Sequence, residues 1–367
     1  VIRYLHINHP FPLECGAVLP ELRIAYTLYG SLEAQPDRVV WVCHALTGNA
    51  DPLSWWEGLA GPGALLNDEA YCVVCANVLG GCYGSTGPRD YNPATGEVYG
   101  RQWPLITIRD MARAHDLLRE YLGIRSIHLL VGGSLGGQQA LEWALLRPRL
   151  FEKLCLLATN ARHSAWGIAF NEAQRMALLA DPTLYAHVPE AGRRGLEAAR
   201  SIAMLSYRHY DAYALTQTDP DDGKLDQFRV AGYQRYQGYK LWLRFDPWAY
   251  FSLSRSMDSH HVGRGRGSLE AVLGSLRIPT LVVGIHSDVL FPIEEQALLA
   301  RCLPLAQLEV IHSNLGHDGF LVETPLIARH LAEFLQQGIV ASRSRPKPPP
   351  LNGLAGRSYA LPGTEVF

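Results

Sequence analysis

The stretch Leu129-Leu130-Val131-Gly132-Gly133-Ser134-Leu135-Gly136-Gly137-Gln138-Gln139-Ala140-Leu141-Glu142-Trp143 decides how this 367-residue chain is read. An apolar run of strand character leads into a serine set among glycines, and a helix-forming run leads out of it. Gly132, Ser134 and Gly136 form the pattern G-x-S-x-G. Alone, the pattern also fits an inert glycine-rich turn. Between a buried strand and a helix it describes a tight elbow that pushes the serine into a strained conformation, where side chains two positions to either side would collide. The following helix sets its N-terminal dipole near negative charge developing at the serine. Ser134 is therefore read as a nucleophile for acyl transfer.

Similar apolar runs recur at 39–44, 71–76, 127–131, 154–158, 280–285 and 308–312. They are almost wholly apolar rather than alternating, as expected of strands buried on both faces of a parallel sheet. Helix-like segments such as 108–122, with apolar residues at three- and four-residue steps, lie between them. The pattern is that of an α/β fold with helices on both faces. From 162 to 275 the rhythm breaks into successive helices, among them 193–207 and 227–244, rich in Tyr, Arg and Trp. We read 1–161 with 276–340 as a discontinuous core and 162–275 as an inserted helical lid. Residues 341–367, with Pro346, Pro348, Pro349 and Pro350, read as a C-terminal tail.

A serine hydroxyl needs a base to become a good nucleophile. On a sheet of this kind the partners follow in the order Ser, acid, His, each after a late strand. Asp288 follows the run 280–285, and His317 follows the run 308–312. His286 precedes the acid, and His312 is still within its strand, so both are weaker candidates. The base sequence order and the inserted lid together point to an α/β-hydrolase fold, with a mostly parallel central sheet. An oxyanion hole needs two backbone N–H groups. Leu135, after the nucleophile, is one candidate donor, and Leu46, in the loop after the run 39–44, is the other. Asp318, read from the residues alone, is the N-cap of a helix over 319–336. Arg200 alone reads as a solvated helix-face residue.

The bulk composition excludes several classes. Hydrophobic residues make up 48% and charged residues 19%, with a formal net charge of −2. That balance gives no general reason to expect nucleic-acid or membrane-surface binding. No stretch approaches the roughly 18 apolar residues of a membrane span, and no basic-then-apolar leader opens the sequence. Seven cysteines without framework spacing argue against a disulfide scaffold and for reduced thiols in a cytoplasm. Cys72 and Cys75 form a C-x-x-C inside an apolar run, with no second pair at zinc spacing, so they read as small core residues. No metal is implied.

Five motifs in order carry a resemblance: the serine elbow with its helix, the loop His44-Ala45-Leu46-Thr47-Gly48, the glycine-rich run from Gly80 to Pro88, the run from Asp258 to Gly267 containing Gly263-Arg264-Gly265-Arg266, and Gly316-His317-Asp318-Gly319-Phe320-Leu321. Together, over roughly residues 5–337, they resemble the homoserine O-acetyltransferase family. The resemblance implies acyl transfer from acetyl-CoA, a co-substrate rather than a bound cofactor, to L-homoserine for methionine synthesis. A ping-pong route through Ser134, His317 and Asp288 would carry it. It also implies that Arg200 captures the homoserine carboxylate, that Tyr207, seven residues on, belongs to the same site, and that Asp318 holds the α-ammonium. Leu135 stands where many relatives carry Met, a change that keeps the backbone N–H. The Gly-Arg-Gly-Arg run has two readings, a contact to coenzyme A phosphates or a loop whose arginines pair internally. A homodimer through the lid is implied, and Trp242, Phe245, Trp248, Tyr250 and Phe251 supply apolar content for it. The rival functions are succinyl transfer or serine acylation on the same scaffold, an esterase or thioesterase, and an inactive binding protein.

Overall fold

The computed structural model describes residues 1–186 and 188–337, so the tail expected over 341–367 lies outside the described residues. Among these residues the strands are β1 (Arg3–Ile7), β2 (Phe11–Pro12), β3 (Val18–Leu19), β4 (Leu22–Tyr29), β5 (Val39–Cys43), β6 (Cys72–Ala76), β7 (Ile127–Gly133), β8 (Phe151–Leu157), β9 (Thr280–Ile285) and β10 (Ala306–Ile311). Eight of them form one sheet in the order β1-β4-β6-β5-β7-β8-β9-β10, while β2 and β3 make a separate ribbon. The pairs β1–β4 and β4–β6 are antiparallel, and the pairs from β6 through β10 are parallel.

The apolar runs become strands because each residue has an apolar layer to enter. In β5, Val39, Trp41 and Cys43 join one core cluster, while Val40 and Val42 join the other. Alternate side chains of a strand point to opposite faces, so these clusters are the two sides of the sheet. All five residues of β5 and of β6 are buried. Cys72 and Cys75, three apart in β6, fall in different clusters and cannot meet.

The helices are α1 (Pro52–Trp55), α2 (Ile108–Tyr121), α3 (Leu135–Leu146), α4 (Ala165–Leu179), α5 (Arg193–Tyr207), α6 (Tyr210–Gln217), α7 (Arg229–Trp242), α8 (Pro247–Asp258), α9 (Leu269–Ser275), α10 (Ile293–Cys302), α11 (Gly319–Val322) and α12 (Thr324–Gln336). The six helices α4 to α9 all fall between β8 and β9. The single helix expected over 319–336 is broken at Glu323, whose backbone leaves the helical region at ψ 38°. Pro325 is the cause: it lacks the N–H a continuous helix would need, so it is accommodated only in a fresh first turn. No helix among the described residues is long and apolar enough to cross a membrane.

The parallel strands β5, β7, β9 and β10 run the same way, so the loops after them emerge at one edge of the sheet. Those loops begin at His44, Ser134, His286 and His312. The carboxyl edge of a parallel sheet is where such folds gather ligand-binding residues.

Candidate active site

Ser134 lies at φ 57° and ψ −125°, between the end of β7 and the first residue of α3. A non-glycine residue there carries strain of about 1–3 kcal/mol, sustained only by its surroundings. Those surroundings are specific. The Ser134 N–H donates to the Leu157 carbonyl at 2.9 Å, and the Ser134 carbonyl accepts from the Gln138 N–H at 3.1 Å and from Thr159 Oγ1 at 2.8 Å. A Cβ on Gly132 would collide with the Gly136 carbonyl, and one on Gly136 with the Cys43 carbonyl. Both obstacles are backbone and cannot swing aside.

His317 Nε2 is 2.9 Å from Ser134 Oγ, and His317 Nδ1 is 2.7 Å from Asp288 Oδ2. Asp288 Oδ1 accepts the N–H groups of Leu290 and Phe291, each at 2.9 Å. The carboxylate is therefore fixed at both oxygens. It accepts from Nδ1–H and leaves Nε2 free to accept the serine proton. All three side chains are buried. Ser287 joins the acid loop to the histidine loop: its Oγ donates to the Ser313 carbonyl and accepts the Gly316 N–H at 3.0 Å. The His317 ring stacks on Phe291 at 5.0 Å and also touches Phe320 and Tyr207. His286 and His312 are exposed and pack on each other at 5.1 Å, away from this relay.

Leu46 and Leu135 are buried, and neither backbone N–H has a hydrogen-bond acceptor among the described residues. The Gly48 N–H closes a turn onto the Ala45 carbonyl, which shapes the loop carrying Leu46.

Arg200 and Tyr207 lie on α5. The Arg200 guanidinium sits over the Tyr207 ring at 5.1 Å, and that ring is 5.8 Å from the His317 ring. Arg200 has no carboxylate partner among the described residues. Asp318 does not cap the helix after it; no side-chain cap bond forms. Its Oδ2 instead lies 2.9 Å from Arg208 Nε, an ion pair without the alignment of a hydrogen bond. Burial pushes the Asp318 carboxyl above its ordinary range, against the pull of Arg208 and Arg200. Arg208 gave no signal in the sequence beyond following Tyr207.

The Gly-Arg-Gly-Arg run resolves to internal pairing. Arg264 makes two 3.0 Å contacts to Glu14, and Arg266 binds Glu142 at 2.6 and 2.8 Å. Arg109 bridges the same two glutamates at 2.7 and 2.6 Å. Of the aromatic residues taken to allow a lid interface, two are not at the surface. Phe245 and Tyr250 are buried, and Trp242, Trp248 and Phe251 pack against the core. Phe245 and Tyr250 have no surface left for a partner, while the other three keep part of theirs exposed.

A second polar group beside the relay was not foreseen. Gln138 Nε2 donates to Asn160 Oδ1 at 3.0 Å, and Asn160 Nδ2 donates to Glu295 Oε2 at 2.8 Å. Burial is the main cause that raises the Glu295 carboxyl to about 7, with nearby Asp288 adding to it and the Asn160 and Ser164 hydrogen bonds opposing. The network ties α3 to α10, the helix that follows the acid loop.

Comparison with known proteins gives a consistent family. The family profile of the α/β-hydrolase fold matches residues 38–324. The chain is 45% identical over 336 residues to a homoserine O-acetyltransferase of Chlorobaculum parvum, covering 90% of this chain and 94% of that protein. The fold is similar to a crystal structure of homoserine O-acetyltransferase from Bacillus anthracis, at a TM-score of 0.86 and 22% identity over 93% of this chain and 100% of that one. It is also similar to esterase E22, at 0.82 and 21% over 92% and 100%. At these identities the two structures bear on fold alone.

Proposed function

The chain belongs to the homoserine O-acetyltransferase family, acyltransferases on the α/β-hydrolase fold, and from that premise we propose that it transfers an acetyl group from acetyl-CoA to L-homoserine through an acetyl-Ser134 intermediate. The observation that carries the mechanism is His317 set between Ser134 Oγ and Asp288 Oδ2. Ser134 Oγ attacks the thioester carbonyl while His317 Nε2 takes its proton. The oxyanion of the tetrahedral intermediate is met by the N–H groups of Leu46 and Leu135. The C–S bond then breaks, and His317 returns the proton to the departing coenzyme A sulfur. In the second half the homoserine hydroxyl gives its proton to His317 and attacks the acetyl carbonyl. Collapse releases O-acetyl-L-homoserine and returns the proton to Ser134. Asp288 orients the imidazole and stabilises its charged form throughout.

Homoserine is held by its two charged ends. Arg200, without an internal carboxylate partner, binds the carboxylate, with Tyr207 closing the site beside it. Asp318 Oδ1 makes no hydrogen bond among the described residues and receives the α-ammonium, while Oδ2 stays with Arg208. The helices over 162–275 act as a lid, and α5 brings Tyr207 against His317, which keeps water from the acyl-enzyme. The product serves methionine synthesis in the cytoplasm. The lid is also the proposed homodimer face: Leu205, Leu215, Leu225, Tyr236 and Leu243 leave more than half of their surface exposed there.

Esterases share this fold, so the acceptor decides the reading. Incubating the protein with acetyl-CoA or succinyl-CoA and homoserine, followed by mass spectrometry, is expected to yield O-acetylhomoserine as the main product. Release of free acetate with no acylated amino acid would favour a hydrolase, and faster succinyl transfer would change the donor.

A further inference from the structure

Gln139, one helical turn beyond the nucleophile, takes no part in the steps above, yet its side chain is fully buried and its amide is committed at both ends. Nε2 donates to the His44 carbonyl at 3.2 Å and to the Leu135 carbonyl at 3.1 Å. Oε1 lies 2.9 Å from His115 Nε2. The two carbonyls belong to the two segments that carry the proposed oxyanion donors: His44 opens the loop bearing Leu46, and Leu135 is itself the other donor.

The segments are pressed together at this point. Gly136 lies so close to the end of β5 that any side chain there would strike the Cys43 carbonyl. His44 is anchored in turn. Its Nδ1 is 2.8 Å from the Ala45 carbonyl, and its Nε2 accepts the Val78 N–H at 3.0 Å. Those partners require a neutral ring with its proton on Nδ1. Burial lowers both His44 and His115 to about 4, which keeps both rings neutral at ordinary pH. The His115 ring is itself stacked on Trp143 at 5.5 Å.

We propose that Gln139 is the positioning residue of the oxyanion hole: a planar amide, pinned by His115, sets the separation of the Leu46 and Leu135 N–H groups. The proposal rests on the assignment of those two donors in the proposed function. An amide NH2 has two hydrogens at a fixed angle, so one group can hold two carbonyls in register. Hydrogen bonds to a developing oxyanion weaken steeply with misplacement, so a small drift of either segment lowers the rate without touching substrate binding.

The test uses Gln139→Met, which keeps side-chain length and removes both donors, and His115→Phe, which keeps the ring stack and removes the pin. p-Nitrophenyl acetate is the substrate because it needs Ser134 and the oxyanion hole but neither coenzyme A nor homoserine. Methylboronic acid is the probe for the tetrahedral adduct on Ser134. In Gln139→Met, kcat should fall by about 100-fold, the scale of a lost oxyanion donor, with KM changed by less than about twofold and boronate affinity falling in parallel with kcat. In His115→Phe the same pattern should appear at about tenfold, because the amide is loosened rather than lost. If Gln139→Met fails to fold, His115→Phe carries the test alone. Wild-type kcat and boronate affinity in the folded variants, or a rise in KM with boronate affinity unchanged, would overturn the proposal. Ester cleavage surviving in Ser134→Ala would instead overturn the nucleophile assignment beneath it.

Discussion

In the proposed function, side chains at Ser134 and its neighbours divide the work between chemistry and recognition. The strained serine backbone is held by Leu157, Thr159 and Gln138, and the close approach of Gly136 to Cys43 leaves no room for another residue. In the proposed function, Asp318 serves recognition rather than chemistry. It adjoins His317 in sequence, makes no hydrogen bond to Ser134 among the described residues, and pairs with Arg208 through one oxygen. Asp318→Asn should raise KM for homoserine by about tenfold, on the scale of a lost charge-assisted hydrogen bond. The burst of coenzyme A released from acetyl-CoA before homoserine is added should stay unchanged. A stopped-flow thiol assay measures both, and a lost burst with unchanged KM would place Asp318 in the acyl-transfer chemistry instead.

At the scale of elements, the sheet was legible in the sequence where strands are buried on both faces. The run 280–285 coincides with β9, and the runs ending at 44 and 76 match β5 and β6 to within a residue. The first four strands were not seen. β1 exposes three of its five residues, and β2 and β3 have two residues each, too few for any period to show. The hydrogen-bonded group of Ser134, Asp288 and His317 was legible because each member follows a sheet strand in a fixed order, the first two after buried strands and His317 after the partly buried β10. Arg208 and Glu295 were not, because their partners are set by how distant loops fold together. The same holds for the Gly-Arg-Gly-Arg loop, whose arginines are bound by Glu14, 250 residues away, and Glu142, 124 residues away. Glu142 is nearly fully buried between Arg109 and Arg266 and joins α2, α3 and that loop. Glu142→Gln leaves two guanidinium groups without their shared charge, and should lower the unfolding free energy by about 3 kcal/mol. Urea denaturation checks this; a midpoint equal to wild type would mean the cluster contributes little.

Taken as a whole, the molecule carries a half-buried acid whose titration its stability should report. Glu295 loses its proton near 4.5 in the unfolded chain and at about 7 in the folded one. Between these values the folded state holds a proton that the unfolded state has released, so stability falls as pH rises through that window. Glu295→Gln removes the group. From pH 4.5 to 7, wild type should lose stability relative to the variant, by on the order of 3 kcal/mol. Parallel denaturation curves at the two pH values measure it, and an unchanged difference would show that Glu295 is ionised throughout. The lid face makes a second prediction at this scale. Leu215 and Leu225 are 88% and 93% exposed, and Leu215→Asp with Leu225→Asp should shift a wild-type dimer toward monomer in sedimentation velocity. A dimer that survives the double variant would place the interface elsewhere.

In the proposed mechanism Ser134 itself carries the acetyl group between donor and acceptor. Mixing the protein with acetyl-CoA alone and digesting it for peptide mass spectrometry tests this directly. One acetyl group is expected on the peptide containing Ser134, absent in Ser134→Ala, and discharged as O-acetylhomoserine when homoserine is added. An unmodified Ser134 peptide alongside O-acetylhomoserine formed at the wild-type rate, or an acetyl group that homoserine does not remove, would contradict it.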